Sequence, residues 1–130
     1  MKTALVIDDD PIVLTVLAHT LEDAGWRVLT ADDGDKGVEL AVAERPDVIV
    51  SDLLMPRFNG YQVCRAIRSN QTFLPQPRIV VISSSNYAAD RTNSIDAGAD
   101  DFLLKPIKPA ELLHVLDLEG GTTFIRKTPA

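Results

Sequence analysis

Hydrophobic positions along this chain take two forms that alternate with each other. Five short apolar runs, TALVI (Thr3 to Ile7), WRVLTA (Trp26 to Ala31), DVIVSD (Asp47 to Asp52), RIVVIS (Arg78 to Ser83) and DFLLK (Asp101 to Lys105), predict strands. The stretches between them predict helices over Ile12 to Ala24, Gly34 to Glu44, Tyr61 to Ser69, a weaker Ala88 to Ala97, and about Ala110 to Leu118. In the first helix Val13, Val16, Leu17, Leu21 and Ala24 fall on one face. Asp10 caps it, Pro11 sits in its first turn and Gly25 ends it. Pro46 bars helix before the third strand, and Gly120 with Gly121 stops the last helix.

Strict alternation of strand and helix implies an α/β fold, with a single five-stranded parallel sheet and five helices on both faces. The central runs lack polar alternation, as burial on both faces requires. Ligands of such sheets bind beyond the carboxyl ends of the strands, where the strand order reverses, and the order 2-1-3-4-5 puts that point between strands one and three. Asp8 and Asp9 follow the first strand, Asp52 closes the third, Ser83 the fourth and Lys105 the fifth. Three carboxylates brought to one edge repel unless a cation sits among them. Hard oxygen ligands suit Mg²⁺, with Mn²⁺ as the substitute, and a carboxylate facing a metal-held phosphate can become a nucleophile. Lys105 would be the cation on the phosphoryl oxygens and Ser83 a donor to one of them. A lone Asp52 after VIV is costly unless solvated, paired or metal-bound.

Composition and charge narrow the setting. A chain of 130 residues, 45% apolar, fits one domain with a sizeable core. A net charge of −6 argues against direct nucleic-acid or acidic-membrane contact. Cys64 is the only cysteine, so no internal disulfide forms, and it reads as a packing residue of the third helix. No charged-then-apolar leader opens the chain and no apolar stretch reaches the roughly 18 residues that span a bilayer, so a cytoplasmic protein with no membrane contact is expected. His19 and His114 read as surface or boundary residues, Asp10 as a cap only, and Asp100 and Asp101 as solvated residues or the start of a strand.

The ordered set VIDDDP, VIVSDLLMPRFNG, VVISSS and DDFLLKP resembles the receiver domain of two-component response regulators, over Lys2 to about Leu118. The resemblance implies that Asp52 is the phosphoacceptor. It makes Asp8 and Asp9 the acidic pair, with Asp9 the direct metal ligand and the Leu54 carbonyl a further one. Ser83 stands at the switch hydroxyl, Phe102 at the switch aromatic, and Lys105 at the family's lysine, with a cis bond to Pro106. The implied partner is a sensor histidine kinase or phosphotransfer protein, from whose phosphohistidine Asp52 takes the phosphoryl group with Mg²⁺ bound. Ser83 then moves inward, Phe102 fills the space, and the surface of the fourth helix, fifth strand and fifth helix changes for a downstream effector. The receiver modifies itself and is not a turnover enzyme on an external metabolite. LLMP folds the chain back at the site, and Gly60 permits the turn into the third helix. Ser84 stands where a small Ala or Gly is usual. By the resemblance, Leu54 and Ser85 hold the tuning positions, and an apolar Leu54, two past the phosphoacceptor, is expected to hinder the hydrolytic water and lengthen the life of the phosphorylated state.

Two rival readings stand beside this one. Asp8 and Asp10 form a D-x-D after the first strand, as in haloacid-dehalogenase-type phosphatases, although Ile12 replaces a preferred Thr and Asp52 is left without a role. A pseudo-receiver that never accepts phosphate is the other. Residues 1–118 read as the receiver and 119–130 as a tail or linker, with Glu119 to Ala130 rich in Gly, Thr and basic residues. Whether the chain stands alone or precedes an output domain, and whether phosphorylation drives dimerisation through the fourth and fifth helices, stays open.

Overall fold

The apolar runs become strands and the periodic stretches helices in a computed structural model that describes residues 2–117. The order is β1 (Thr3–Ile7), α1 (Pro11–Asp23), β2 (Arg27–Ala31), α2 (Gly34–Glu44), β3 (Val48–Asp52), α3 (Gly60–Ser69), β4 (Arg78–Ser83), α4 (Ala88–Ala97), β5 (Asp101–Leu104) and α5 (Pro109–Asp117). All strand pairs are parallel and the sheet order is β2-β1-β3-β4-β5, the α/β architecture the pattern implies. Leu118 and the 119–130 tail lie outside the described residues.

Period-two alternation along the strands sorts the core into two compartments. Leu5, Ile7, Ile49, Ile79 and Val81 face Ala41 of α2, Val63, Cys64 and Ile67 of α3, and Ala97 of α4. Ala4, Val6, Val50, Val80 and Ile82 face Leu17 and Leu21 of α1 and Leu112, Val115 and Leu116 of α5. Each fully buried Leu or Ile contributes about 1.5–3 kcal/mol relative to its exposed state, so the sheet is held from both sides.

Local chemistry fixes the helix ends. Asp10 accepts the Ile12 N–H at 2.9 Å and Pro11 opens α1, while Gly25, at a φ of 95°, takes the left-handed turn beyond its end. Asn59 and Gln62 form a reciprocal capping box at the start of α3. Three readings are corrected. Val16 and Ala24 are exposed rather than on the buried face of α1, which Leu17 and Leu21 occupy with Val13 and Leu14 partly buried beside them. Gly60 has no left-handed φ; it is needed because a Cβ there would lie 2.7 Å from the Asp52 carbonyl oxygen. Asp100 and Asp101 are buried, not solvated, because Arg68 Nη2 lies 2.9 Å from Asp100 and Arg78 Nη2 lies 3.2 Å from Asp101, although Asp101 does start β5. His19 is exposed and pairs with Asp23 at 3.2 Å, and His114 is exposed.

Candidate functional site

The register of the sheet carries four chemically capable residues to one edge. Ile7 pairs with Ser51, Asp52 with Ile82 and Ser83 with Leu104, so Asp8, Asp52, Ser83 and Lys105 all stand at the carboxyl ends of neighbouring strands. Asp8 Oδ1 accepts the Asp10 N–H at 2.9 Å, which turns the chain sharply after β1 and leaves Asp9 exposed at the rim. After β3, the Leu53 N–H continues the ladder to the Ile82 carbonyl at 2.9 Å, and the Gly60 N–H returns to the Leu53 carbonyl at 2.8 Å. Leu53 and Met55 are buried by this fold-back and Leu54, between them, is 60% exposed beside the acids. The bond between Lys105 and Pro106 is cis, as expected, and so is that between Leu74 and Pro75.

Carboxylate oxygens of Asp8, Asp9 and Asp52 lie within 4.8 Å of one another. Lys105 Nζ stands 2.9 Å from Asp8 Oδ2 and 3.3 Å from Asp52 Oδ1. One ammonium thus meets two of the three carboxylates. Asp8 Oδ2 is buried and has this ion-pair contact without a well-aligned hydrogen bond. Burial, and then the charge of Asp8, push the Asp52 carboxyl up to about 6, against the opposing pull of Lys105. Burial works to lower the proton affinity of Lys105, but its contact with Asp8 and the charge of Asp52 outweigh that and hold it above the ordinary lysine value. An excess of buried negative charge on hard oxygen ligands is the donor set of a small divalent cation, and these three residues fit one.

Ser83 is buried, and its Oγ accepts the Ser85 N–H at 3.0 Å. Phe102 is 8% exposed and packs in the core, so the ring expected to move inward on phosphorylation is already inside. It lines a shallow cleft of about 250 Å³ with Tyr87, Ala88, Arg91, Leu104 and Glu111. A cavity of about 740 Å³ opens at the opposite edge of the sheet beside Trp26, Arg45 and Phe73 and includes none of the clustered acids. Asp10 is exposed and engaged as the cap of α1. Cys64 is inert in a buried position, its thiol pushed up to about 11 by burial.

Sequence reasoning missed Tyr61 and Asp90, which are linked to the loop after Ser83 through Ser85. Tyr61 donates to Asp90 Oδ1 at 3.0 Å, and Ser85 donates a short bond to Asp90 Oδ2. Burial, with Asp90 second, raises the Tyr61 phenol above its usual value. Nothing in the sequence pairs a residue of α3 with one of α4; only an Asp in a first helical turn hinted that Asp90 had a local role.

The sequence model of the response regulator receiver domain matches residues 4–117. The chain is 34% identical over 111 residues to the alkaline phosphatase synthesis transcriptional regulatory protein PhoP of Bacillus subtilis, covering 85% of this chain and 45% of that protein. Its fold is similar to that of the chemotaxis protein CheY4 of Vibrio cholerae, with a TM-score of 0.84 and 32% identity over 90% of this chain and 97% of that one. It is also similar to the receiver domain of the sensor histidine kinase PA1611 of Pseudomonas aeruginosa, solved with a magnesium ion in its active-site cleft, with a TM-score of 0.80 and 33% identity over 89% of this chain and 94% of that one.

Proposed function

The chain belongs to the response regulator receiver domain family, whose members are phosphoryl-accepting signalling modules, and on that premise we propose that Asp52 is its phosphoacceptor. The observation that carries this is the cluster itself: Asp52 ends a fully buried strand, beside two further carboxylates and one ammonium. At neutral pH a carboxyl titrating near 6 is mostly ionised and can act as a nucleophile.

Asp52 attacks the phosphorus of a phosphohistidine on a sensor histidine kinase or phosphotransfer protein. The new P–O bond forms as the P–N bond breaks, and the imidazole leaves with the electron pair and takes up a proton. Lys105 faces the phosphoryl oxygens, moving from Asp8 and Asp52 as charge arrives there. Ser83 donates its hydroxyl to another of those oxygens. Asp8, Asp9 and Asp52, with the Leu54 carbonyl, would hold Mg²⁺ or Mn²⁺, which supplies charge neutralisation on the transferring group. The magnesium ion in the PA1611 receiver supports that choice of cation. Leu54, exposed beside the acids, limits the approach of hydrolytic water.

The Phe102 cleft between α4, β5 and α5 is the surface offered to an effector. Because the chain spans 45% of the PhoP protein it matches, the effector is either a separate partner or a further domain of a longer regulator. The acidic charge of the chain keeps direct nucleic-acid contact to such a domain. No helix among the described residues is long and apolar enough to cross a membrane, and a cytoplasmic setting fits a kinase partner. The D-x-D phosphatase reading gives way, since the chain belongs to the receiver family and Asp10 is engaged as a cap.

The test is intact mass after incubation with Mg²⁺ and acetyl phosphate, beside Asp52→Asn and a magnesium-free control. One added phosphoryl group that needs both Asp52 and Mg²⁺ is expected. No adduct from acetyl phosphate or from a phosphohistidine donor would make the chain a pseudo-receiver.

A further inference from the structure

A chain of polar contacts reaches the site from α3, by way of α4. Ser83 Oγ, at the end of β4, accepts the Ser85 N–H at 3.0 Å. The Ser85 hydroxyl accepts the Tyr87 N–H at 3.3 Å and donates to Asp90 Oδ2. The other oxygen of Asp90 accepts the Tyr61 hydroxyl at 3.0 Å, and Tyr61 is itself packed against the core. Asp90 lies in the first turn of α4, where the positive end of the helix dipole favours a carboxylate. A carboxylate held by a hydrogen bond to each of its oxygens in turn fixes the loop that follows β4.

The hydrogen-bonding capacity of Ser83 gives this arrangement its use. A serine hydroxyl has one proton and two lone pairs. The Ser85 N–H occupies a lone pair, which restricts rotation about the Cβ–Oγ bond and leaves the proton free to donate. Resting on the reading of Asp52 as phosphoacceptor, we propose that Asp90, anchored by Tyr61, is a positioning residue that presets the Ser83 hydroxyl as a donor to the phosphoryl group. The donor is then ordered before transfer begins, so the ordering does not have to be repeated in each transition state. Removing Asp90 releases the Ser85 side chain, then the loop, then the rotation of Ser83.

The experiment measures the rate of phosphoryl gain from acetyl phosphate by intact mass, for wild type, Asp90→Ala, Asp90→Asn and Tyr61→Phe, each with Ser83 intact and with Ser83→Ala. Asp90→Ala is expected to slow the reaction ~5-fold or more when Ser83 is present, a size typical of coupled neighbours. Asp90→Asn keeps an acceptor for Ser85 and restores most of the rate, while Tyr61→Phe slows it less than Asp90→Ala does. In the Ser83→Ala background none of these changes has an effect. Equal slowing in both backgrounds, or no slowing by Asp90→Ala, overturns the positioning role. Tyr61→Phe keeps the ring in the core, so it decides the matter even if Asp90→Ala does not fold. An adduct on the wild type with no dependence on Ser83 refutes the positioning alone; no adduct on the wild type, from acetyl phosphate or from a phosphohistidine donor, refutes the phosphoacceptor reading and this one with it.

Discussion

The two edges of the sheet carry the same kind of residue and treat it in opposite ways. At the amino edge, Asp47 Oδ2 accepts the Thr3 N–H at 2.8 Å, and Asp100 Oδ2 accepts both Arg68 Nη2 and the Ile79 N–H at 2.9 Å. Asp101 meets Arg78 at 3.2 Å, with both side chains at most 10% exposed. At the carboxyl edge, Asp8 and Asp52 share one lysine with Asp9 close beside them, and the Asp52 carboxyl is pushed up to about 6 by burial and by Asp8. Burial alone therefore does not mark an aspartate as functional. A buried acid saturated by arginine and backbone donors is part of the fold, whereas one left in excess of its partners is ready for a cation and an electrophile.

The largest effect should come from breaking the saturated edge. Asp101→Ala removes a buried carboxylate that pairs with the Arg78 guanidinium, and urea denaturation should show a loss of about 3–5 kcal/mol. A loss under about 1 kcal/mol would mean that the amino edge is no more structural than the other. The carboxyl edge should respond with the opposite sign. Without metal at pH 7.5, Asp52→Asn should stabilise the fold by about 1–2 kcal/mol, because it removes a charge that is held against its preference. The Asp52 carboxyl titrates higher in the folded chain than in an unfolded one, so the folded state takes up its proton first as pH falls. Wild-type stability from this group therefore rises as pH drops through about 6 and is complete near the unfolded value of about 4. The advantage of Asp52→Asn should shrink over that window; an advantage that stays constant in thermal melts from pH 7.5 to 4 would contradict the crowded-acid account. The smallest effect on stability belongs to Leu54→Asn, which is exposed and should change it by less than about 0.5 kcal/mol. Its effect should appear instead as a several-fold shorter lifetime of the phosphorylated form by intact mass, and an unchanged decay rate would remove Leu54 from the control of hydrolysis.

What the sequence made legible was whatever depends on position along one segment. The bounds Gly34–Glu44, Arg78–Ser83 and Ala88–Ala97 read directly, with Asp33 capping the first, an apolar run making up the second and Gly98 ending the third. The gathering of Asp8, Asp9, Asp52 and Lys105 was legible for a related reason: a parallel sheet sends every strand's last residue to one edge. What depends on partners distant in sequence was not legible. Arg68 reaches Asp100 across 32 residues and Tyr61 reaches Asp90 across 29, and no local pattern records either pair. Gly60 was legible as a requirement but not in its cause, since closeness to the Asp52 carbonyl is a property of packing rather than of backbone preference. Val16 misled because helical spacing admits it to a face that Leu17 and Leu21 fill without it.

The division of the core into two compartments by alternate strand residues also decides where this chain can change length. One residue inserted within Val48–Asp52 would exchange the compartments downstream of it, turning Val50 toward α3 and shifting the carboxylate of Asp52 off its edge. The segment between α3 and β4, by contrast, carries exposed residues at Gln71, Thr72 and Leu74 through Gln76 and ends on no catalytic group. Insertions and deletions should accumulate there and be absent from β3, so the length of that central strand is as firmly fixed as the aspartate at its end.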